Sequence, residues 1–374
     1  MKESKKILAF AREVGGASAI APVCQAMLQE NWELLFLAKD KGLDFLKNQN
    51  LDCIDFPSFD VDHLNTLIDR KFQSSPNLIF TSATSLPTLD MTERYLWKWG
   101  RENEILTVGV LDQWQNYGLR FSGPGSNERL AYLPDYIFVM DELAKDEMIK
   151  EGIPEELIVI TGQPAFDKII EEHKILSSQI NKIKNKLQIS DNFTVITFVA
   201  ESLKKDFGDR LGYDEQSTLG FLGDVLDEIC ERNKDLQIYF IIKLHPENKY
   251  EEFEWALSRW SSLKKQIIEK ELSSCEVIEI SDLVVGMTSI MLVEAILVSK
   301  ITVSLQINSL VDSQLVATKT GAVPFIKDKK IGRQILNSLL LDEKSRKSYL
   351  QKELNWKIKT NGTQRCLEML KRIE

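Results

Sequence analysis

Short apolar runs alternate with longer amphipathic stretches along most of the chain. In the first half, runs rich in apolar and β-branched residues predict buried parallel strands, and the stretches at 19–29 and 91–101 have the spacing of helices. The second half repeats this alternation, which is typical of doubly wound α/β domains. The predicted strands are 7–11, 32–38, 78–82, 106–111, 136–140 and 157–161, followed by 193–200, 238–244, 277–280, 283–286, 301–305 and 323–326.

The domain organisation follows from length and from one polar stretch. A chain of 374 residues exceeds what one hydrophobic core usually organises, so we expect two domains. A helix-favouring stretch without glycine or proline separates the two series of strands. We predict a Rossmann-like domain over residues 1–165, a linker helix over 166–190 and a second Rossmann-like domain over 191–374. We expect the two α/β domains to face each other across a cleft, and the last helix to cross back to the first domain.

Composition narrows the class of protein. With 43% apolar and 28% charged residues the chain is of globular type, and no apolar run reaches the roughly 20 residues that span a bilayer. Five cysteines without a CxxC spacing argue against a disulfide framework or a zinc site and favour a cytoplasmic location. The net charge of −9 disfavours nucleic acid as a partner and leaves small anions as better candidates.

His245 lies at the mouth of a strongly apolar strand of the second half. The run at 238–244 is apolar and β-branched almost throughout, and Pro246 ends the strand. Ligands of open parallel sheets bind beyond the carboxyl ends of the strands, so His245 is a candidate for phosphate binding or acid–base chemistry. Lys243, at the same strand end, is a second candidate contact of a nucleotide.

A further group of candidates follows another predicted strand. Thr288 and Ser289 stand at the start of a helix, where hydroxyl and backbone N–H groups can hold a phosphate, although helix capping also explains them. Glu294 is a lone carboxylate among apolar neighbours at helical spacing, and a charge there needs a partner. We favour the ribose hydroxyls of a nucleotide; the alternative is an ion pair with Lys243 or Lys300.

The loop at residues 200–215 is long, polar and twice interrupted by glycine. Loops at the carboxyl ends of strands commonly bind ligands. Asp206 and Asp209 are candidate bases for an acceptor hydroxyl, and we expect Glu201 and Ser202 to face the nucleotide. The alternative is a solvated loop whose charges balance each other.

Two groups in the first half suggest a sugar or acceptor site. Gly15 and Gly16 open a helix after the first strand, where they either let backbone N–H groups approach an anion or serve only the geometry of the turn. A later strand is followed by Asp112, Trp114 and Arg120. Sugar sites typically combine aromatic faces with charged side chains, such as the guanidinium of arginine with its forked N–H donors. For Trp114, an anchor of domain packing is the alternative.

Two weaker signals have structural interpretations. Asp60 and Asp62 resemble a metal-holding DxD pattern but precede a helix, so we interpret them as N-caps. His173 lies in a charged helical stretch, where we expect it to face solvent. The sequence therefore predicts no metal site.

Together these motifs resemble the GT-B superfamily of nucleotide-sugar enzymes, in particular bacterial sialyl- and Kdo-type transferases, teichoic-acid glycerophosphotransferases and UDP-N-acetylglucosamine 2-epimerases. His245 with Pro246 is similar to the His-Pro motif of the sialyltransferases, and Thr288 with Ser289 to their Ser-Ser motif. Glu294 is similar to the ribose-binding glutamate common in GT-B proteins.

One longer segment is also similar to these families, and two of their motifs are not matched in this sequence. Residues 152–167 are similar to the Gly-x-Pro-x-x-Asp segment that ends the first domain. The acidic-acidic-glycine motif of the sialyltransferases is matched only loosely, by residues 205–208. No histidine precedes a glycine, as one does in the glycerophosphotransferases.

The resemblance implies a metal-independent glycosyltransferase without a cofactor, acting in bacterial surface-polysaccharide synthesis. Its partners would be a nucleotide-sugar donor and a glycan or lipid-linked acceptor, and the latter suggests peripheral membrane association. His245, Asp206 and Asp209 would be the catalytic residues. One alternative is a 2-epimerase-like enzyme or nucleotide-sugar hydrolase on the same fold; another is a catalytically silent binding or assembly subunit.

Overall fold

The chain folds into two compact α/β units, each built around one parallel sheet. The computed structural model describes residues 4–354, 356 and 360–373. The first unit comprises Met1–Lys168 with Ile358–Glu374, and the second comprises Ile169–Lys357. Both units are Rossmann-like, as the alternation of strands and helices predicts. None of the helices in the described ranges is long and apolar enough to cross a membrane.

The first unit contains a seven-stranded sheet in the order β3-β2-β1-β4-β5-β6-β7, and its paired strands are parallel. Helices flank the sheet, and the winding reverses between β1 and β4. The strands are β1 (Lys6–Ala11), β2 (Glu33–Ala38), β3 (Ile54–Asp55), β4 (Leu78–Ser82), β5 (Leu106–Val110), β6 (Tyr136–Val139) and β7 (Ile158–Ile160). The helices are α1 (Val14–Gln29), α2 (Asp40–Asn48), α3 (Val61–Phe72), α4 (Thr92–Glu102), α5 (Tyr117–Arg120), α6 (Glu142–Lys150) and the last helix, α17 (Gly362–Leu370).

Helix α7 (Pro164–Ser177) leads into the second unit, whose six-stranded parallel sheet has the order β10-β9-β8-β11-β12-β13. The strands are β8 (Phe193–Val199), β9 (Gln237–Lys243), β10 (Lys264–Ile268), β11 (Leu283–Gly286), β12 (Ile301–Leu305) and β13 (Phe325–Ile326). The helices are α8 (Ile180–Lys186), α9 (Leu203–Phe207), α10 (Glu215–Arg232), α11 (Trp255–Ser258), α12 (Ser274–Ile280), α13 (Ile290–Leu297), α14 (Val316–Lys319), α15 (Lys329–Leu341) and α16 (Glu343–Leu354).

Strand β9 shows why apolar runs produce this architecture. Successive side chains of a strand point to opposite faces of the sheet. Phe240 and Ile242 enter the core on one face, and Tyr239 and Ile241 enter the core on the other. A strand that is apolar on both faces must be covered on both sides, which a parallel sheet between two layers of helices provides.

Most predicted strands match the structure to within two residues at each end, and three larger differences stand out. Residues 277–280 end helix α12 instead of forming a strand, because Ser273 and Glu276 form a capping box at its start. Strand β10 was not predicted, since this edge strand begins with polar residues. The helix predicted at 19–29 begins earlier, at Val14.

The last helix, α17, packs in the first unit. Its side chains Cys366, Leu367 and Leu370 join the core that also contains much of α1. The carboxylate of Asp167 accepts the N–H groups of Gly362 (3.1 Å) and Thr363 (2.7 Å). Asp167 ends the segment that resembles the GT-B proteins, and its contacts here are those of a cap that stabilises the start of α17.

The weaker sequence signals have opposite outcomes. Asp60 caps α3 as predicted, accepting the N–H of His63 at 2.7 Å. The prediction that His173 faces solvent is wrong, since only 3% of this residue is exposed. Its Nδ1 lies 2.7 Å from a carboxylate oxygen of Glu279 on α12. The charged sequence neighbours of His173 occupy other faces of α7, and a charged stretch does not reveal which face packs.

Two glycines of α10 differ in the space around them, and this difference supports a prediction. A Cβ on Gly223 would lie 2.1 Å from the Trp260 ring, whereas a Cβ on Gly220 would have no neighbour closer than 3.9 Å. We expect Gly223→Ala to lower the free energy of unfolding by about 2 kcal/mol through overpacking. Gly220→Ala should raise it by about 0.5–1 kcal/mol through helix propensity. Urea unfolding measures both changes, and equal effects would contradict this account.

Candidate functional site

The candidate residues of the second unit follow three adjacent strands. Strand β8 lies between β9 and β11, and the winding of the sheet reverses between β8 and β11. Open α/β sheets bind ligands beyond the strand ends at such a switch point. His245 follows β9, Glu201 and Ser202 follow β8, and Thr288 and Ser289 follow β11.

Glu201 holds the loop between β11 and α13. Its buried carboxylate accepts hydrogen bonds from the N–H of Met287 (3.2 Å), the N–H of Thr288 (2.8 Å) and the hydroxyl of Thr288 (2.5 Å). Burial raises the pKa of Glu201, and the hydrogen bonds from Thr288 and Met287 oppose this shift. An internal carboxylate therefore takes the donors that the sequence suggested for a ligand phosphate.

These contacts correct two predicted nucleotide contacts. Glu201 and Thr288 bind each other, so neither side chain is turned to a ligand in this structure. Ser289 is the N-cap of α13, and its Oγ accepts the N–H of Met291 at 3.3 Å, as the capping alternative states. A serine hydroxyl that accepts one hydrogen bond can still donate its own proton to a ligand. Ser289 remains a candidate for this reason.

Asn248 links the end of β9 to the end of β8. Its Oδ1 accepts the N–H of His245 (3.0 Å), and its amide donates to the carbonyl of Glu201 (3.1 Å). The Nδ1 of His245 accepts the N–H of Glu247 at 3.3 Å. A neutral imidazole whose Nδ1 accepts carries its proton on Nε2, so the half-buried ring presents an N–H donor. The sequence signal for Asn248 was its position three residues after His245, a spacing typical of turns.

Gln306 and Ser304 hold the same β11–α13 loop from the β12 side. The hydroxyl of Ser304 and the amide of Gln306 both donate to the carbonyl of Met287, at 2.6 and 3.1 Å. Both side chains are fully buried. Polar residues at the end of an apolar strand are a signal that our sequence interpretation missed. The loop that carries the candidate hydroxyls is therefore fixed from both neighbouring strands.

Glu294, on α13, makes no hydrogen bond or ion pair to any residue that the structure describes. Burial raises its pKa to about 7, and repulsion by the carboxylate of Glu172 adds to the shift. The ion-pair alternative is wrong, because Lys243 donates to a backbone carbonyl after β10 and Lys300 to one on α12. The expectation that Lys243 contacts a nucleotide stays a prediction, because an ammonium group that donates to one carbonyl has two further N–H donors. Glu294 is left as a shielded carboxylate without a partner among the described residues.

The two candidate bases lie on the exposed side of the 200–215 loop. Asp209 is paired with Lys204 at 2.5 Å, and its side chain is 94% exposed. The ion pair lowers the pKa of Asp209, which weakens it as a base and fits the charge-balanced loop of the alternative interpretation. Asp206 accepts a hydrogen bond from the hydroxyl of Ser202 at 2.7 Å. Asp206 has no such ion pair with a described residue and stays a candidate base, with its carboxylate held by Ser202.

In the first unit the switch point lies between β1 and β4. A Cβ on Gly15 would come within 2.3 Å of Oδ2 of Asp112, and a Cβ on Gly16 within 2.5 Å of Cβ of Ser82. The two glycines therefore permit close packing at the start of α1, where the helix dipole favours a negative group. That group is the carboxylate of Asp112, so the chain itself supplies the anion expected at this position.

Trp114 and Arg120 belong to the packed interior of the first unit. Arg120 is 3% exposed and pairs with Asp112 at 2.9 Å. Trp114 is 5% exposed, donates its indole N–H to Asp141 at 2.9 Å and stacks on Phe166. The expectation that Asp112, Trp114 and Arg120 form an open sugar-binding surface is therefore wrong. The packing alternative holds, because the aromatic face is already covered.

Solved structures that share this fold include UDP-GlcNAc 2-epimerases, a glycosyltransferase and a protein in complex with UDP-glucose. The UDP-GlcNAc 2-epimerase of Neisseria meningitidis, solved with UDP-GlcNAc, has a TM-score of 0.70 and 15% identity, covering 98% of this chain and 100% of its own. A glycosyltransferase of Rickettsia africae has a TM-score of 0.63 and 13% identity over 99% of both chains. HepE of Anabaena, in complex with UDP-glucose, has a TM-score of 0.61 and 15% identity, covering 98% of this chain and 100% of its own. No family model and no curated protein matches the sequence.

The chain has the GT-B fold. At such low identities the comparisons establish this fold and leave the substrate to the site itself. The cleft expected between the two domains stays a prediction. Among the described residues, no group of three or more His, Cys, Asp or Glu side chains is placed to hold a metal ion. All five cysteines, each within the described ranges, are free thiols.

Proposed function

We propose that this GT-B protein is a glycosyltransferase that binds a nucleotide-activated sugar in its second unit. The observation that carries the proposal is a set of complementary groups beyond β9 and β11: the Nε2–H of His245, the hydroxyl of Ser289 and the carboxylate of Glu294. A phosphate needs hydrogen-bond donors, and ribose hydroxyls need an acceptor. The nucleotide-sugars bound to the N. meningitidis and Anabaena proteins support the same choice of ligand.

The proposed reaction needs no metal and no cofactor. The bond between the anomeric carbon and the leaving phosphate oxygen breaks while an acceptor hydroxyl oxygen bonds to that carbon. His245 and Ser289 would donate hydrogen bonds to the leaving phosphate, where negative charge grows in the transition state. Asp206 would accept the proton that the acceptor hydroxyl loses. Each role falls to a side chain beyond a strand end of the same sheet.

The proposed acceptor is a glycan or lipid-linked glycan of a bacterial surface polysaccharide. Exposed apolar side chains support peripheral membrane association: Phe207 is 42% and Leu310 is 74% exposed. Their loops are joined by a hydrogen bond from the N–H of Leu310 to the carbonyl of Leu211 (2.9 Å). A cytoplasmic location, suggested by the cysteine pattern, forms part of the proposal.

A second candidate function is a 2-epimerase or nucleotide-sugar hydrolase, favoured by the TM-score of 0.70 with the N. meningitidis 2-epimerase. Such an enzyme converts the donor alone, whereas a transferase needs an acceptor. Incubation of the protein with candidate nucleotide-sugars, with product analysis by chromatography, separates the two. Rapid conversion without an acceptor would favour the second candidate.

A thermal-shift panel of CMP, CDP, UDP, GDP and their sugars tests the proposal. We expect one nucleotide to stabilise the protein by about 2.7 kcal/mol when its concentration is 100-fold above Kd. His245→Ala should remove most of that shift, because the phosphate loses a donor. His63→Ala, a histidine change in the first unit, is the matched control and should keep it. If no nucleotide changes Tm at millimolar concentration, the proposal fails and the silent-subunit alternative gains.

A further inference from the structure

A second groove of the second unit lies between α10, α11 and α15. Its volume is about 590 Å³, and none of its lining residues belongs to the candidate nucleotide site. There is open space above Gly220 at the base of the groove, because a Cβ there would have no neighbour closer than 3.9 Å. The volume falls in the range of small-molecule sites, roughly 300–1,000 Å³. The groove can therefore hold a ligand of one or two sugar rings.

Two aromatic side chains, Phe221 and Trp255, line this groove. The indole N–H of Trp255 donates to Gln216 at 2.8 Å, and the Trp260 ring lies edge-on to it with centroids 5.5 Å apart. These contacts fix the orientation of the Trp255 ring. The Arg259 guanidinium lies over the Trp255 ring, 5.6 Å from its centroid, so a pyranose would stack on Phe221 and on the part of the Trp255 ring that Arg259 leaves uncovered.

The cations at the groove outnumber the acids that pair with them. Arg259 pairs with Asp224 at 2.8 Å, and Arg333 pairs with a glutamate of α10. Lys329 makes no hydrogen bond or ion pair to any described residue. Lys329 and Lys330 also open α15, where the helix dipole disfavours positive charge. An anionic group bound beside Lys329 would relieve this repulsion.

We propose that the groove binds an acidic saccharide, with a pyranose ring against Phe221 and Trp255 and its carboxylate or phosphate on Lys329 and Arg333. Such a ligand contacts the aromatic rings through its sugar and the cations through its negative charge. An acidic peptide would use the cations but would leave the aromatic faces without a ring to stack. The inference does not depend on the proposed transfer reaction, because binding here requires no nucleotide.

Isothermal titration of the full chain with tetragalacturonate tests the inference, using maltotetraose as the neutral probe and hexaglutamate as the acidic peptide. We expect tetragalacturonate to bind and maltotetraose to bind at least ten times more weakly. Lys329→Glu should weaken tetragalacturonate binding at least tenfold. This variant should fold normally, since an acid in the first turn of α15 is favourable there.

Lys344→Glu, an exposed charge reversal on α16, is the matched control and should bind tetragalacturonate like the parent. Trp255→Ala should also weaken binding, with circular dichroism and Tm used to confirm its fold. The inference is overturned if hexaglutamate binds as tightly as tetragalacturonate, or if Lys329→Glu binds like the parent. The nucleotide-induced Tm shift of Lys329→Glu should equal that of the parent, so failure here is distinguishable from failure of the proposed function.

Discussion

Replacing Glu294 with glutamine is expected to weaken nucleotide binding by about 10- to 100-fold and to stabilise the unliganded protein at pH 8. A charged acceptor contributes roughly 1.5–3 kcal/mol per hydrogen bond and a neutral one about 0.5–1.5 kcal/mol. Glutamine has nearly the same shape as glutamate but carries no negative charge. It has only one acceptor oxygen for the hydrogen bonds of two ribose hydroxyls, and that oxygen is a weaker acceptor than a carboxylate. Titration calorimetry with the nucleotide identified by thermal shift measures the loss.

The gain in stability follows from the pKa of about 7 for Glu294. This value lies above the ordinary glutamate value of 4.5. A carboxyl whose pKa is raised in the folded state binds more protons there than in the unfolded state between those pH values. Stability therefore falls as pH rises from 4.5 to 7, by up to about 3 kcal/mol, and stays low above pH 7. Glu294→Gln should remove this fall, so that parent and variant differ at pH 8 and agree near pH 4.

The same carboxyl should make nucleotide affinity depend on pH. Hydroxyl donors favour the ionised carboxylate, so affinity should rise as pH increases through 7 and then level off. Glu172→Gln is the matched control, because it removes the repulsion on Glu294 without removing the acceptor. It should shift the midpoint of the affinity profile to lower pH and retain binding at pH 8. A Glu294→Gln variant that binds nucleotide normally would refute the ribose role.

Replacing Glu201 with alanine is expected to lower the free energy of unfolding by about 3 kcal/mol and to abolish detectable nucleotide binding. The change leaves the N–H groups of Met287 and Thr288 and the hydroxyl of Thr288 without their acceptor. Unsatisfied buried donors cost about 1–3 kcal/mol each, less where water reaches them. The loop that presents Ser289 would then lose its fixed position. Chemical denaturation and titration calorimetry measure the two effects.

Glu201→Gln separates positioning from a direct role of the charge. Its carbonyl oxygen can still accept the two N–H groups, and the Thr288 hydroxyl can rotate to accept from the new amide. We therefore expect Glu201→Gln to recover most of the stability and most of the binding. Tighter nucleotide binding by Glu201→Ala would show instead that Glu201 obstructs the phosphate position, and would contradict the positioning role.

The periodicity of the sequence was sufficient for most of the fold. Strands β4, β11 and β12 have the predicted bounds, because a short run that is apolar on both faces fits a buried parallel strand. The prediction was wrong where a segment is not a short run that is apolar on both faces of a strand. Edge strand β10 has polar residues, and the apolar end of α12 has no alternation to distinguish helix from strand.

The sequence predicted those parts of the candidate site whose position depends on where a strand ends. His245, Ser289 and Glu294 remain in the proposed site, and the strand order places His245 and Ser289 beyond β9 and β11, the two neighbours of β8. Side-chain direction was not predictable, as Trp114 shows. An aromatic next to polar residues in sequence fits an open sugar platform or a buried anchor, and the contact with Phe166 in α7 decides between them.

The sequence by itself determined a doubly wound α/β chain with two sheets and with a histidine, a hydroxyl pair and a lone carboxylate after its strands. These features depend on neighbours within a few residues, so local patterns encode them. Only the tertiary structure decided which acids bind groups of the chain itself and which have no partner among the described residues. Glu201 and its partner Thr288 are 87 positions apart, and each meets the other because β8 and β11 are adjacent in the sheet. Glu294 meets no such partner among the described residues, and that difference, invisible in the local sequence, makes it the strongest candidate for binding.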